Sequence, residues 1–211
     1  MRPLAAAAAA GAVCAALVLL LLPQPAPAGC GTEKFFRAQR NVNPGGAEPF
    51  TVGDSVMSLA LPRLAAVGYN ANAQGCRSFA EGLRVVRRQK ARKGLPRLVV
   101  LALGTDGRVT SRGIEEALAV LGRGKVLGLV TPRELGGGAR FDAAVMRRAA
   151  RQHPRQIVLL DWVKYSAGHG GWFQPDHVHL SNRGARVFAQ FLGRAVRFSR
   201  AGRFPNGTSF P

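Results

Sequence analysis

Asp176 and His179 stand three residues apart in the segment PDHVHLSNRGA, near the C-terminal end of the chain. That spacing is one helical turn or one compact loop, and either sets both side chains on one side of the backbone. Asp176 can then accept from the Nδ1–H of His179 and leave Nε2 facing outward as a base. A hydroxyl at that nitrogen would lose its proton as it attacked an acyl carbonyl, and the carboxylate would stabilise the imidazolium formed. The available hydroxyl is Ser55, in TVGDSVMSLALP, where an apolar run meets a helical pattern. A serine at such a junction also serves as a helix cap, so its neighbours alone leave both roles open. Two further readings compete for the same residues. His177 and His179, with Asp176 and His169, form an H-x-H and carboxylate set of a kind that can bind zinc. Asp161, at the end of an apolar run, is a rival triad acid or a loop cap.

The rest of the chain must bring these groups together. PFTV reads as a short strand, and Ser55 to Val67 carries apolar residues at helical spacing up to Gly68. YNANA is a second strand, followed by a helix from Phe79 to Lys93 whose outer face carries Arg84, Arg87, Arg88 and Arg92. RLVVLAL is a buried strand stopped by GTDG. Ser111 then reads as the N-cap of a helix running to Leu121, with Glu115 and Glu116 in its first turns. KVLGLV, FDAAVMRRAARQH and QIVLL follow as strand, helix and last strand, and a final helix spans Asn182 to Phe198. This alternation predicts an α/β fold: a three-layer α/β/α sandwich on a central parallel sheet of about five strands, in flavodoxin-like order. In such sheets the loops at the C-terminal ends of the strands form the ligand-binding edge. Ser55 lies on that edge, and so do QGCRS around Gly75, GTDG at Gly104 to Gly107, and the Asp176–His179 segment.

The ends divide from the domain. Arg2, the apolar run LAAAAAAGAVCAALVLLLLP and QPAPA make residues 1–28 a secretory signal peptide cut after Ala28. A retained membrane anchor is a second reading of this run, and lipid attachment at Cys30 a third, opposed by Pro27 where an aliphatic residue is preferred. Residues 29–48 read as an N-terminal arm, 49–199 as the catalytic domain and 200–211 as a tail. With Cys14 inside the signal, Cys30 and Cys76 remain, either as one disulfide tying arm to domain or as two thiols. LGGGAR at 135–140 reads as a loop, and Asn206-Gly207-Thr208 matches a glycosylation sequon.

A formal charge of +19 on 211 residues favours a polyanionic partner. Export makes an anionic wall polymer or lipid the expected class, with no nucleic acid expected. The Arg84 helix face is either a solvated surface or a docking surface for such a polymer. Trp172 and Phe173 either wall an acyl or sugar pocket or pack in the interior.

GDSVM, the glycine of the second loop, LGTDG and the D-x-x-H-L of residues 176–180 occur in the order of the SGNH (GDSL-like) hydrolase superfamily. Over about residues 49–199 the chain resembles its exported peptidoglycan and polysaccharide O-acetyltransferase-type domains. The resemblance implies Ser55 as nucleophile, Asp176 as orienting acid and His179 as base. It also implies an oxyanion hole from the backbone N–H groups of Ser55 and Gly75, with no metal and no cofactor. The expected activity is an esterase or O-acyltransferase on ester-linked acyl groups, most simply acetyl, of wall or surface glycans. A transferase would take its acyl group from a membrane partner in trans. A non-catalytic basic protein of the same fold, holding anionic polymer, is the alternative from another class.

One block departs from the family pattern. Where Gly-x-Asn is usual, this chain has Gly104-Thr105-Asp106. Asparagine would donate its amide to the oxyanion, whereas an ionised aspartate would repel it, and one lost donor costs about 2.7–4 kcal/mol of transition-state stabilisation. Three arrangements stay open at this point: a protonated Asp106, an Asp106 turned to Arg108, or an Asp106 that orders its loop while backbone groups serve the oxyanion.

Overall fold

The computed structural model describes residues 30–134 and 141–200 and the strand Ser209–Phe210. The signal segment, the LGGGAR loop and the sequon lie outside the described residues. The strands are β1 (Lys34–Phe36), β2 (Phe50–Gly53), β3 (Asn70–Ala73), β4 (Leu98–Ala102), β5 (Val126–Val130), β6 (Ile157–Leu160) and β7 (Ser209–Phe210). They form one sheet in the order β1-β3-β2-β4-β5-β6-β7. The five from β2 to β6 are mutually parallel and keep the flavodoxin-like order. β4 and β5 are buried at every position, as strands covered on both faces must be.

The sheet is wider than the expected five strands. β1 belongs to the stretch read as an arm and pairs antiparallel with β3, while β7 adds in parallel to β6. Elements of three and two residues are too short to show an alternating pattern, so contacts made elsewhere hold β1 in place. Asn72 donates to Glu33 Oε1 at 2.8 Å, and a disulfide joins Cys30 to Cys76.

Helices α1 (Ser55–Ser58) and α2 (Leu61–Ala66) replace the single expected helix. Pro62 has no N–H to donate and sits in the first turn of α2, which is where proline is tolerated. α3 (Phe79–Lys93) opens on a capping box in which Ser78 and Glu81 exchange hydrogen bonds. α4 (Ser111–Leu121) is capped by Thr110, whose hydroxyl accepts the Gly113 N–H at 3.1 Å, one residue before the expected Ser111. α5 (Phe141–Gln152), α6 (Trp162–Tyr165) and α7 (Asn182–Arg200) complete the two outer layers.

Each sheet face carries its own core. Met57, Leu64, Tyr69, Trp162, Phe188 and Phe191 pack one side, and Phe79, Leu83, Ile114, Leu127 and Met146 the other. Among the described residues no helix is long and apolar enough to cross a membrane.

The disulfide closes a loop of 46 residues, and chain entropy gives such a cross-link about 4 kcal/mol of stability. The Cys30→Ser, Cys76→Ser double variant is therefore expected to melt well below the parent. Thermal denaturation of both proteins without reductant checks this, and equal midpoints would contradict it.

Candidate active site

The four edge loops follow β2, β3, β4 and the turn before α7, and pairing fixes their relation. Gly53 pairs with Ala73 on one side and Ala102 on the other. Ser55 and Gly75 are thus two residues past partnered positions on neighbouring strands. Gln74 N–H donates to the Gly53 carbonyl at 3.3 Å, and Asp54 N–H to the Ala102 carbonyl at 3.3 Å. A Cβ at Gly75 would collide with the Cys30 carbonyl oxygen, so only glycine lets the arm lie against this loop.

The structure brings Ser55, His179 and Asp176 together from positions 124 and 121 residues apart along the chain. Ser55 Oγ is 3.0 Å from His179 Nε2, and His179 Nδ1 is 2.6 Å from Asp176 Oδ2. Asp176 Oδ1 accepts the N–H groups of Val178 and His179, both at 2.9 Å. Partial burial alone would push the Asp176 carboxyl up. The hydrogen bonds from His179 and the two amides outweigh it and hold the group below its ordinary value. Asp176 is therefore ionised wherever His179 is to act as a base. His177 has φ 58°, a left-handed turn that puts Val178 and His179 within reach of Asp176.

The loop is held from outside by Arg133, which the sequence reading missed. Its Nε donates to the His177 carbonyl at 3.1 Å and its Nη1 to Ser166 Oγ at 2.9 Å, and its guanidinium lies 4.2 Å from the centre of the Phe173 ring. Arg77 does similar work behind the serine. It is buried, and its Nη1 donates to the Gly53 carbonyl at 3.0 Å and to Asn72 Oδ1 at 2.7 Å. Arg133 acts on a carbonyl 44 residues away, and Arg77, although it belongs to QGCRS, acts on the backbone of Gly53 and on Asn72, outside that segment.

Ser55 is not the helix cap. Asp54 takes that role, accepting the Val56 N–H at 3.1 Å, and its other oxygen receives the Thr105 N–H at 3.3 Å. Asp54 is fully buried, and burial together with the charge of nearby Asp106 pushes its carboxyl up to about 7, against the pull of the Thr105 and Val56 amides. Between pH about 4 and about 7 the folded protein thus keeps a proton that the unfolded chain has lost, so this group makes stability fall as pH rises through that window. Asp54→Asn keeps an oxygen for the cap and has no charge to bury. Its melting temperature should gain on the parent's as pH rises across that window and then hold constant, a difference on the order of a few kcal/mol. A gap independent of pH would refute the assignment.

The other residues singled out in the sequence have their own surroundings. Asp161 caps α6, accepts from Thr131 Oγ1 at 3.0 Å, and forms a two-pronged pair with Arg147 at 2.7 and 2.9 Å. Arg108 lies over the Phe141 ring, its guanidinium 5.3 Å from the ring centre. Trp172 stacks on His169 at 3.9 Å and on Trp162 at 5.9 Å, so the tryptophan packs against the core that holds Trp162. Among the described residues no group of three or more His, Cys, Asp or Glu could hold a metal ion.

The fold is shared with solved acyltransferase and acylhydrolase domains. The C-terminal catalytic domain of Streptococcus pneumoniae peptidoglycan O-acetyltransferase A superposes with a TM-score of 0.64 at 23% identity, over 74% of this chain and 97% of that domain. A lipase/acylhydrolase from Enterococcus faecalis superposes with a TM-score of 0.55 at 17% identity, over 72% and 97%. By sequence, O-acetyltransferase OatA of Staphylococcus aureus is 28% identical over 157 residues, 71% of this chain and 25% of the relative. The chain spans 16% to 25% of the length of the curated relatives it matches. No family model matches the chain.

Proposed function

We propose that this protein is an exported serine enzyme that removes or transfers an ester-linked acyl group, acetyl in the first instance, on a cell-wall or surface glycan. The observation that carries the reading is the 3.0 Å approach of Ser55 Oγ to His179 Nε2, continued by the 2.6 Å contact from Nδ1 to Asp176. His179 takes the serine proton as Oγ adds to the acyl carbonyl carbon. The oxyanion formed is received by the backbone N–H groups of Ser55 and Gly75. The intermediate collapses to an acyl-enzyme as His179 returns the proton to the departing alcohol. Water, or a sugar hydroxyl, is then deprotonated by His179, attacks the acyl carbonyl and frees Ser55.

In this reading Asp106 orders its loop and the amides serve the oxyanion. A short acyl group is supported by the cavity beside the site, about 20 Å³ in volume and bounded in part by Val56, Pro132, Arg133 and Val178. A glycan acceptor is supported by the relatives, several of which carry names of peptidoglycan or other O-acetyltransferases. As a transferase, the protein would draw its acyl group from a membrane protein acting in trans.

The test is capture of the intermediate. The purified protein is mixed with 4-nitrophenyl acetate, quenched early and digested, with and without a peptidoglycan oligosaccharide as acceptor. One acetyl group on the peptide containing Ser55 is expected, with acetylated oligosaccharide marking a transferase and acetate alone a hydrolase. Ester turnover with no acetyl on Ser55 would overturn the reading.

A further inference from the structure

A large recess lies away from the triad, between the segment after β1, the end of α2, and α7. Its volume is about 520 Å³, within the range of ligand-holding clefts. Arg40, Arg194 and Arg197 line it, with Asn41, Gln190 and Tyr165 as further polar groups. Gln190, Arg194 and Arg197 share one face of α7 by their spacing of four and seven residues. Arg40 comes from the opposite wall, which is fixed by the Gln39 N–H donating to the Ala65 carbonyl at 2.9 Å.

None of the chain's 11 carboxylate side chains lines this recess, although all fall within the described residues. Glu48, beside it, spends both oxygens on the Val42 N–H at 3.1 Å. Among the described residues no ion pair engages Arg40, Arg194 or Arg197. The contrast with the α3 surface is direct: there Arg84, Arg87 and Arg88 pair with Glu81, Glu116 and Glu33. Arg194 is also oriented in advance. Its Nη2 donates to Tyr165 Oη at 3.2 Å, its guanidinium lies 4.8 Å from the centre of the Tyr165 ring, and that ring stacks on Phe191 at 4.5 Å.

Three guanidinium groups around one concavity repel one another unless an anion sits among them. Each planar fork can pair the two terminal oxygens of a phosphodiester, so three forks suit successive groups along one chain rather than a single ion. The recess also has room well beyond a single ion. From this arrangement we infer that the Arg40–Arg194–Arg197 recess is a binding site for the phosphodiester groups of a linear anionic polymer, separate from the acyl-transfer edge. Holding such a polymer would keep the enzyme at the surface where its acceptor lies and raise the effective concentration of that acceptor. The inference does not depend on the ester chemistry and is tested without it.

Binding is measured by titration calorimetry for the parent, the Arg40→Gln/Arg197→Gln variant and the Arg84→Gln/Arg92→Gln variant, which loses equal charge from α3. The probes are poly(glycerol phosphate), inorganic phosphate and hyaluronate, a carboxylate polymer. Poly(glycerol phosphate) should bind best, and its Kd should rise about tenfold or more in the Arg40/Arg197 variant, as two charge-assisted contacts are lost. The α3 variant should change by less than about twofold, and turnover of 4-nitrophenyl acetate should be unaltered in the Arg40/Arg197 variant. Equal losses in the two variants would overturn the site in favour of diffuse charge. Hyaluronate bound as tightly as poly(glycerol phosphate) would overturn the phosphate assignment, and inorganic phosphate bound as tightly would overturn the polymer. No binding of poly(glycerol phosphate) by the parent would overturn the inference altogether.

Discussion

Replacing Ser55 with alanine is expected to lower kcat/KM for an acetyl ester by roughly a hundred-thousand-fold or more, since removal of a triad nucleophile alone abolishes most of the catalysis that a triad supplies. The fold should be untouched. Asp54, not Ser55, caps α1, and the serine side chain is partly exposed with His179 as its one hydrogen-bond partner among the described residues. The variant should melt within about a degree of the parent, as a change away from buried or capping features does. Turnover that persists at the parental rate would remove Ser55 from the chemistry, and with it the proposed acyl-enzyme. Loss of activity together with a collapsed melting temperature would point to a structural serine instead.

The second large effect concerns Asp176. In Asp176→Asn the amide oxygen can still accept from Val178 and His179, whose N–H groups lie 2.9 Å from Oδ1, so the loop should hold its shape. The NH₂ group then faces His179 Nδ1 and donates to it. The ring proton moves to Nε2, which faces Ser55 as a donor when a base is needed. Such an inversion costs on the order of ten-thousand-fold in kcat. Asp161→Asn provides the contrast. Its amide oxygen can still accept from Thr131, but its NH₂ faces Arg147 Nε and breaks the two-pronged pair, so it should cost about 2 kcal/mol of stability and leave kcat nearly intact. The opposite pattern, with kcat lost in Asp161→Asn and kept in Asp176→Asn, would transfer the role of acid to Asp161.

Most of the layout was legible because burial on both faces leaves a strong imprint. LVVLA and VLGLV are apolar throughout, and α3 follows its predicted bounds because Phe79, Leu83 and Val86 repeat at helical spacing. Ser55, Asp176 and His179 stood out by residue type and by the short spacing of the last two, and their side chains meet in the structure. What escaped was set by contacts across space. β1 is a strand because Glu33, Cys30 and Asn72 hold it to β3, a cause that no window of Lys34–Phe36 contains. The cap of α4 fell to Thr110 rather than Ser111 because both residue types suit the position and only the backbone path decides. Arg133 and Arg147 looked like two among 30 basic residues, and their work on His177 and Asp161 depends on partners 44 and 14 residues away. The arginine recess likewise joins position 40 to positions 194 and 197, which no sequence pattern connects.

The bond between Cys30 and Cys76 bears on what else Cys30 can carry. A sulfur in a disulfide has no valence left for a thioether, so a diacylglycerol on Cys30 and this cross-link are exclusive fates of the same atom. A lipidated form would leave Cys76 a lone thiol and release the strand that Cys30 anchors beside Gly75. The cross-link therefore keeps the Cys30 sulfur closed to a thioether for as long as it staples the loop next to Ser55.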